Sequence, residues 1–477
     1  MWKCGHWING QYDVSHGEQW FSVHSPIDKE IVTRAASANP EDVTQAVSSA
    51  ARAFDQWSAS SPRERRDILL RAASLIEERH DEFAMRMVQE TGTGEWWARF
   101  NCELGAEMVR EAAILTGQIK GEVIPMNRPG LVSLAVRQPL GVCFGMAPWN
   151  APLVLGCRAI APALACGNSV VLKSSELCPA SHVLLGEVFR DAGLPDGVLN
   201  ILSASIEDSA DIVNACVNER AIRHVNFTGS TRVGRIVAQV AAAALKPCLL
   251  ELGSKAPVLV LEDANLEQAA DAILFAGFAN NGQICMSTER VIIRREVADS
   301  LIEILLQKIR RPARQGFSYA DSKGAIISQT AQDHVLQLIQ DAERKGANLL
   351  QDGRNSGYAL GPTLIGRVNS NMSIYREESF GPVIALIEVV DDEEAISVAN
   401  DTAYGLASAI FTSDIGRAIR LSGKVESGIC HINSSTLFDE PQVPFGGVKD
   451  SGYGRFGGES AIREFTDLRW VTINCAQ

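Results

Sequence analysis

The chain has 477 residues and a net charge of −13 at neutral pH, with 57 acidic and 44 basic side chains. Because nucleic acids and anionic membrane surfaces attract basic patches, this balance argues against both as partners. The length predicts two large lobes or about three domains. We expect neither a membrane span nor a secretory signal, since no apolar run approaches ~18 residues and the first residues are not apolar.

The eleven cysteines are scattered and include no CxxC pair, and the eight histidines include no HxxxH pair. Disulfide frameworks and structural zinc sites both need closer and more regular spacings. We therefore expect no metal site, a reducing and cytoplasmic location, and cysteines that are mostly buried thiols.

Residues 61–92 are predicted to form one long amphipathic helix. The run Ser61-Pro62-Arg63-Glu64 has the pattern of a capping box with proline in the first helical position. Apolar residues recur at helical spacing after it, and Gly92 is a natural stop.

Short runs rich in valine, isoleucine and leucine then alternate with helical stretches. Such runs are typical of parallel strands buried on both faces. A first group covers residues 141–145, 169–172, 198–202 and 224–227, and a second covers 257–261, 290–293, 382–386 and 408–411. The sequence therefore predicts an α/β fold with two open-sheet lobes and a boundary near residue 250.

Two alternating strands fit neither lobe, at residues 133–137 and 469–473. An isolated strand is marginally stable and needs a sheet to join. We expect these two to pair with each other, within one chain or between subunits. A shared sheet predicts a homodimer or a dimer of dimers.

Cys285 is the first candidate for chemistry, because it follows the loop-forming run Asn280-Asn281-Gly282-Gln283. A nucleophilic thiol must be accessible and must ionise. The alternative is an inert buried cysteine.

Glu251 lies inside the apolar run Leu249-Leu250-Glu251-Leu252. Burial raises the pKa of a carboxyl group, so such a residue can act as a general base near neutrality. The alternative is an ion pair with Lys255.

Asn150 follows an apolar strand and Trp149, and its side-chain amide is a donor suited to a developing oxyanion. The alternative is a turn or helix-capping residue.

Two further segments suggest a nucleotide site. Lys173 and Glu176 lie at the carboxyl end of a predicted parallel strand, where nucleotides bind in open α/β sheets. A carboxylate there accepts hydrogen bonds from ribose hydroxyls, although a solvated surface pair is the alternative. The run Gly229-Ser230 to Gly234 joins a strand to a helix start, whose N–H groups attract anions.

Together and in this order, these segments resemble the NAD(P)-dependent aldehyde dehydrogenase superfamily over the whole chain. Within it the chain is most similar to the bacterial vanillin, benzaldehyde and salicylaldehyde dehydrogenases. The motifs that carry the resemblance are Ala147-Pro148-Trp149-Asn150, Lys173-Ser174-Ser175-Glu176, Phe227-Thr228-Gly229-Ser230, Leu250-Glu251-Leu252-Gly253, Gly282-Gln283-Ile284-Cys285, Glu377-Glu378-Ser379-Phe380-Gly381-Pro382 and Pro444-Phe445-Gly446-Gly447.

The resemblance implies two Rossmann-like open-sheet lobes, one for the cofactor and one for catalysis, and a small β oligomerisation arm. Residues 1–118 and 139–250 would form the NAD-binding domain and residues 251–447 the catalytic domain. Residues 119–138 and 448–477 would be the oligomerisation and bridging segments.

The resemblance also implies a role for each motif. Cys285 would attack the aldehyde, Asn150 would hold the oxyanion with the Cys285 N–H, and Glu251 would be the general base. Hydride would leave for the nicotinamide and produce a thioester. The residues implied to bind the cofactor are Trp149, Lys173, Glu176, Gly229, Ser230, Gly234, Glu378 and Phe380. Because the Glu176 carboxylate would lie where the ribose 2′-hydroxyl binds, NAD is expected rather than NADP.

The chain departs from the family pattern in three places. Ser174 replaces the usual proline, which frees a backbone N–H, and Ser254 replaces a glycine, which is costly if φ must be positive. Residues 310–324 look shortened.

We predict an aromatic aldehyde substrate, with a hydroxylated benzaldehyde as the first choice. Arg158 is eight residues after Asn150, so both would lie on one helix face along the aldehyde tunnel. An arginine there can hydrogen-bond a ring hydroxyl or stack on the ring, whereas a structural ion pair is the alternative. The residues predicted to complete an apolar slot are Trp97 or Trp96, Leu155, Ile284, Met286, Phe438 and Phe445.

Three other functions compete with this one. A semialdehyde dehydrogenase would use Arg158 to hold a substrate carboxylate. A CoA-acylating enzyme would not need Glu251 as a hydrolytic base. A catalytically silent binding protein would not need Cys285, Glu251 and Asn150 together.

Overall fold

A computed structural model describes residues 1–13, 19–310, 324–354 and 360–475. The apparent shortening at 310–324 falls almost wholly outside the described residues. Within the described ranges, no helix is both long enough and apolar enough to cross a bilayer.

The helices occupy the following ranges: α1 Pro40–Ser58, α2 Pro62–Glu78, α3 His80–Thr91, α4 Glu95–Leu115, α5 Pro152–Ala165, α6 Pro179–Asp191, α7 Ser209–Asn218, α8 Thr231–Ala243, α9 Leu266–Phe278, α10 Arg295–Arg310, α11 Gln329–Arg344, α12 Ser373–Arg376, α13 Asp392–Asn400, α14 Ile415–Ser422 and α15 Gly458–Glu464.

The strands occupy the following ranges: β1 Trp2–Cys4, β2 His6–Ile8, β3 Gln11–Asp13, β4 Trp20–His24, β5 Ile31–Ala36, β6 Glu122–Ile124, β7 Leu131–Pro139, β8 Val142–Met146, β9 Ser169–Lys173, β10 Leu199–Leu202, β11 Ile222–Thr228, β12 Cys248–Glu251, β13 Pro257–Val260, β14 Arg290–Arg294, β15 Asn348–Gln351, β16 Thr363–Gly366, β17 Val383–Val389, β18 Tyr404–Gly405, β19 Ala407–Phe411, β20 Ile429–Ile432, β21 Val448–Lys449, β22 Gly452–Tyr453 and β23 Thr466–Asn474.

The predicted strands of the first lobe form the centre of an eight-stranded sheet in the order β22-β12-β11-β8-β9-β10-β2-β3. Strands β8 to β12 run parallel, and the strand order reverses between β8 and β11. Such a reversal opens a crevice at the carboxyl ends of the strands. The register places Lys173 beside Met146, and Thr228 beside Glu251, at that edge.

The predicted strands of the second lobe form a seven-stranded sheet in the order β15-β16-β17-β14-β13-β19-β20. Its strands are parallel except for β15 at the edge. The predicted α/β class with two open sheets is thereby confirmed. The domain limits stay a prediction, and β22, from the segment assigned to bridging, pairs with β12 in the first sheet.

The two orphan strands pair with each other inside the chain. Strand β23 lies antiparallel to β7 along its whole length, and β6 completes a three-stranded sheet. The exposed side chains of this sheet include Trp470, Leu468 and Val123.

The predicted single helix over 61–92 is wrong in one respect, because it breaks at Arg79 into α2 and α3. The Arg79 backbone leaves helical geometry, and α3 restarts without a side-chain cap. Ser61 caps α2 by accepting a hydrogen bond from the Glu64 N–H, but the reciprocal half of a capping box is absent from this helix start. Gly92 ends α3 with φ of +67°, as predicted.

Candidate active site

The carboxyl ends of β8, β11 and β12 open onto a cavity of about 330 Å³ that also reaches segments from the second sheet. Its walls are largely apolar. The residues that line it are Pro148, Trp149, Asn150, Leu155, Thr228, Gly229, Ser230, Glu251, Leu252, Gly253, Cys285, His334, Glu378 and Phe380. The catalytic candidates Cys285, Glu251 and Asn150 therefore meet in one place.

Cys285 is half-buried and follows a tightly folded loop. Asn280 and Asn281 both adopt left-handed backbone geometry, with φ of 47° and 55°. At Gly282, a Cβ would lie 2.2 Å from the main-chain oxygen of Gly381. The Asn281 side chain donates to the Gly324 oxygen at 2.5 Å, so the loop is held in a fixed position.

Burial, together with the carboxylates of Glu251 and Glu378, raises the pKa of the Cys285 thiol to about 12. The guanidinium of Arg158 acts in the opposite direction. The thiol is therefore protonated at neutral pH, and a base must remove its proton before it can attack an electrophile.

Asn150 lies before helix α5, whose cap is Ala151. The Asn150 side chain donates from Nδ2 to the Gln283 oxygen at 3.0 Å. Its main-chain oxygen accepts from Trp97 Nε1 at 2.8 Å and from Asn280 Nδ2 at 3.1 Å. The capping alternative is therefore wrong, and the amide is held against the Cys285 loop with a second N–H available to a ligand.

Glu251 ends β12 and is 2% exposed. Neither carboxylate oxygen has a hydrogen-bond partner among the described residues. A Cβ at Gly446 would lie 2.6 Å from Oε1, so only glycine fits there. Burial raises the pKa of Glu251 well above its usual value. Such a carboxyl group can accept a proton near neutral pH.

Lys255 does not pair with Glu251, so that alternative is wrong. Lys255 is fully buried and forms an ion pair with Glu289. The Glu289 carboxylate also accepts from Ser379 N at 2.9 Å and from Phe380 N at 3.1 Å. This pair therefore connects the segment after β12 to the segment that carries Phe380.

Glu378 and Phe380 line the cavity opposite β12. Glu378 accepts from the Ser254 N–H at 2.7 Å, and burial raises its pKa to about 8. Phe380 has a positive φ of 46°, and its ring meets Trp149 edge-on at 5.9 Å. Ser254 does not have positive φ, so its replacement of glycine causes no backbone strain there.

Ser230 caps α8 by accepting a hydrogen bond from Val233 N at 3.4 Å, and the first turn of that helix carries no acidic residue. Gly234 packs α8 against Leu252, where a Cβ would lie 2.3 Å from a methyl carbon. Gly229 and Ser230, just before α8, line the cavity, so the N–H groups of this helix start can bind an anionic ligand there.

Lys173 and Glu176 lie beside the cavity rather than in its lining. Lys173 Nζ lies 3.4 Å from Glu176 Oε2. Because Lys173 is buried, the alternative of a pair in which both side chains are solvated is wrong. The N–H that Ser174 regains donates to the Leu202 oxygen at 2.8 Å. The serine thus extends the β9–β10 ladder by one bond.

The structure separates the predicted substrate residues. Leu155 lines the cavity, and Ile284 and Met286 are buried on either side of Cys285. The argument that Asn150 and Arg158 share a helix face is wrong, because α5 begins only at Pro152.

Arg158, Trp97 and Phe445 lie outside the cavity lining. Arg158 donates to Asp439 Oδ2 at 2.5 Å and covers the ring of Phe445 at 4.1 Å, beside a separate cavity of about 20 Å³. Trp97 supports the site indirectly, because its indole N–H donates a hydrogen bond to the main-chain oxygen of Asn150. The rings of Trp96 and Phe438 are partly exposed.

Sequence reasoning missed His334, Gly253 and Asp439. His334 lies on α11, and its Nε2 is 3.0 Å from the main-chain oxygen of Glu378. Gly253 leaves room for Glu378, since a Cβ would lie 2.6 Å from Oε2. Gly253 belongs to a quoted motif and could have been found, whereas no local pattern marks His334 or Asp439.

Comparisons with known proteins agree with this site. A profile described as the aldehyde dehydrogenase family matches residues 12–471. A vanillin dehydrogenase of Pseudomonas fluorescens is 50% identical over 98% of this chain and 97% of its own length.

Two solved structures have closely similar folds. A salicylaldehyde dehydrogenase from Pseudomonas putida G7, complexed with salicylaldehyde, is 41% identical with a TM-score of 0.96, over 99% of this chain and 98% of that one. An NADP-dependent enzyme of E. coli is 30% identical with a TM-score of 0.95, over 99% and 98%.

The chain belongs to the aldehyde dehydrogenase family and is an aldehyde dehydrogenase, an oxidoreductase that uses a nicotinamide cofactor. The residues present fit such a cofactor, since the α8 N-terminus and the buried Lys173 ammonium supply positive potential at the carboxyl ends of β11 and β9, on either side of β8. Gly229 and Gly253 have no space for a Cβ beside the cavity.

Alkylation of Cys285 by iodoacetamide should rise about tenfold per pH unit between pH 7 and pH 10, without a plateau. The reason is that a thiol with a pKa of about 12 increases its thiolate fraction throughout this range. Peptide mapping by mass spectrometry measures the rate, with the exposed Cys475 as internal reference. A plateau below pH 8 would show that the free enzyme stabilises the thiolate.

Proposed function

We propose that this enzyme oxidises an aromatic aldehyde, with a hydroxylated benzaldehyde as the first choice, to the carboxylic acid with NAD as the oxidant. The observation that carries the proposal is the convergence of Cys285 and Asn150 on one cavity with the buried, unpartnered carboxylate of Glu251.

In the first step, Cys285 Sγ bonds to the aldehyde carbon and its proton passes to Glu251. The negative charge on the former aldehyde oxygen is held by hydrogen bonds from Asn150 Nδ2 and the Cys285 N–H. Donors fixed before the reaction stabilise developing charge without reorganisation. The bonds that hold Asn150 and the Cys285 loop supply this fixity.

When bound, a nicotinamide cofactor would supply the hydride acceptor, and loss of the hydride would leave a thioester on Cys285. Glu251 gives up the thiol proton to solvent and then takes a proton from water, and the resulting hydroxide attacks the thioester carbon. Sγ leaves as the thiolate and regains a proton from Glu251, and the carboxylic acid is released. A carboxyl group with a raised pKa suits both proton transfers near neutral pH.

The residues proposed to hold the cofactor extend from β9 to the second sheet. Lys173 and Glu176 would bind the adenosine ribose, and Gly229, Ser230 and Gly234 would receive the pyrophosphate at α8. Glu378 would bind the nicotinamide ribose, between Trp149 and Phe380. NAD is favoured because the Glu176 carboxylate would repel a 2′-phosphate.

An aromatic substrate is supported by the relatives named above and by the apolar walls near Leu155, Ile284 and Met286. The semialdehyde alternative is weakened because the charge of Arg158 is already paired with Asp439. Glu251 argues against a CoA-acylating reaction, and the complete constellation argues against a silent binding protein.

Purified enzyme with NAD and benzaldehyde or vanillin should produce NADH, followed at 340 nm, and the matching acid. Cys285→Ala should abolish both products. Glu251→Gln should lower the rates of both NADH formation and acid release by at least roughly 100-fold, because the Cys285 thiol and the hydrolytic water both lose their base. Undiminished acid production by Cys285→Ala would refute the mechanism.

Glu176→Gln should raise kcat/KM with NADP relative to NAD by roughly tenfold, since it removes one negative charge from the proposed 2′ position. The ratio is measured at saturating aldehyde. Glu187→Gln, on α6 outside the cavity, is the matched control and should leave the ratio unchanged. An unaltered ratio in Glu176→Gln would remove this residue from the cofactor site.

We also propose a homodimer or a dimer of dimers built on the sheet β23-β7-β6. Trp470 is 67% exposed on that sheet, where further apolar side chains are also exposed. Sedimentation velocity should show an oligomer that Trp470→Asp converts to monomers. Leu245→Asp, at a 92% exposed apolar residue elsewhere, should not. A monomeric wild type would overturn the proposal.

A cytoplasmic location is proposed as well, supported by eleven cysteines that are all free. Recovery of the enzyme from an oxidising compartment would contradict it.

A further inference from the structure

Arg158 and Asp439 form a buried ion pair beside the proposed catalytic residues. Arg158 lies one turn after Leu155 on α5, and Leu155 lines the cavity. Asp439 comes from the segment between β20 and β21. The side chains of Arg158 and Asp439 are 5% and 7% exposed, and both influence the protonation of Cys285 and Glu251.

This pair is electrically neutral, and its arginine is fixed on two sides. Asp439 Oδ2 accepts from Arg158 Nη2, while the guanidinium covers the ring of Phe445. A substrate carboxylate placed here would be an uncompensated charge next to Glu251. Burial of such a charge is strongly unfavourable. The pair therefore selects against acidic aldehydes.

The second oxygen of Asp439 is not satisfied. Among the described residues, the buried carboxylate oxygens without a hydrogen-bond partner belong to Glu251 and Asp439 alone. Glu251 has a chemical task that explains its two free oxygens, but Asp439 Oδ1 has none in the mechanism. A buried carboxylate oxygen requires a donor, and an unmade bond there is costly.

We propose that Asp439 is a specificity-determining residue whose Oδ1 accepts a hydrogen bond from a ring hydroxyl of the substrate, while Oδ2 holds Arg158 in place. The inference rests on the proposed function and narrows it to phenolic aldehydes. A ring hydroxyl is a donor, whereas a methoxy group in the same position is an acceptor only.

The test compares kcat/KM for each hydroxybenzaldehyde isomer with that for the matching methoxybenzaldehyde. Wild type should prefer the hydroxyl compound for at least one ring position. In Asp439→Asn, the amide oxygen faces Arg158 and the N–H₂ replaces Oδ1, so the preference for that isomer should fall roughly tenfold or more. The ratio of kcat/KM for the hydroxy compound to that for the methoxy compound isolates recognition of the hydroxyl, because a general structural effect lowers both values alike.

Two further variants complete the experiment. Glu440→Gln removes the neighbouring charge on the same segment and should keep the wild-type ratio. The double variant with Arg158→Met and Asp439→Leu replaces the pair by apolar side chains of similar volume, should remain folded, and should also lose the preference. It decides the question if Asp439→Asn fails to fold.

The outcomes separate the two proposals. A wild type that oxidises benzaldehyde without any preference for a hydroxyl compound overturns the role of Asp439 and leaves the proposed function standing. If Asp439→Asn and the double variant both retain the preference for the hydroxyl compound, the role of Asp439 is likewise overturned and the proposed function still stands. A wild type that oxidises none of these aldehydes overturns the proposed function, and the role of Asp439 with it.

Discussion

The site depends on one carboxylate that is buried without a hydrogen-bond partner. Burial of Glu251 disfavours its charged form, and no donor among the described residues offsets that cost. The surroundings maintain this condition, because Gly446 approaches Oε1 without a side chain and Lys255 is held by Glu289 instead. A partner at Glu251 would stabilise the fold and remove the proposed general base.

The contrast between Glu251 and Glu289 shows how one environment gives carboxylates different tasks. Glu289 is equally buried but accepts bonds from Lys255, Ser379 and Phe380. Because its oxygens are satisfied, it acts as a fixed connection between the segments after β12 and before β17. The strained backbone of Phe380 persists because this connection determines its position.

The parts of the site that the sequence predicted share a physical origin. Asn150 and Ser230 each follow a buried parallel strand and Glu251 ends one, and the carboxyl ends of such strands lie at one edge of a sheet. A local apolar run is therefore enough to place them. The break at Arg79 could not be read from periodicity, because α3 continues the apolar spacing of α2 after one irregular residue.

Residues that act through distant partners were harder to predict. Proximity in sequence offers Glu251 as an alternative partner for Lys255, whereas the partner in the structure, Glu289, is 34 residues away. Arg158 is joined to Asp439 across 281 positions. The residues proposed for catalysis are thus marked by short motifs, at strand ends for Asn150 and Glu251 and in the loop after α9 for Cys285. The proposed selection of substrate depends on contacts between α5 and the segment between β20 and β21, and only the folded chain brings these together.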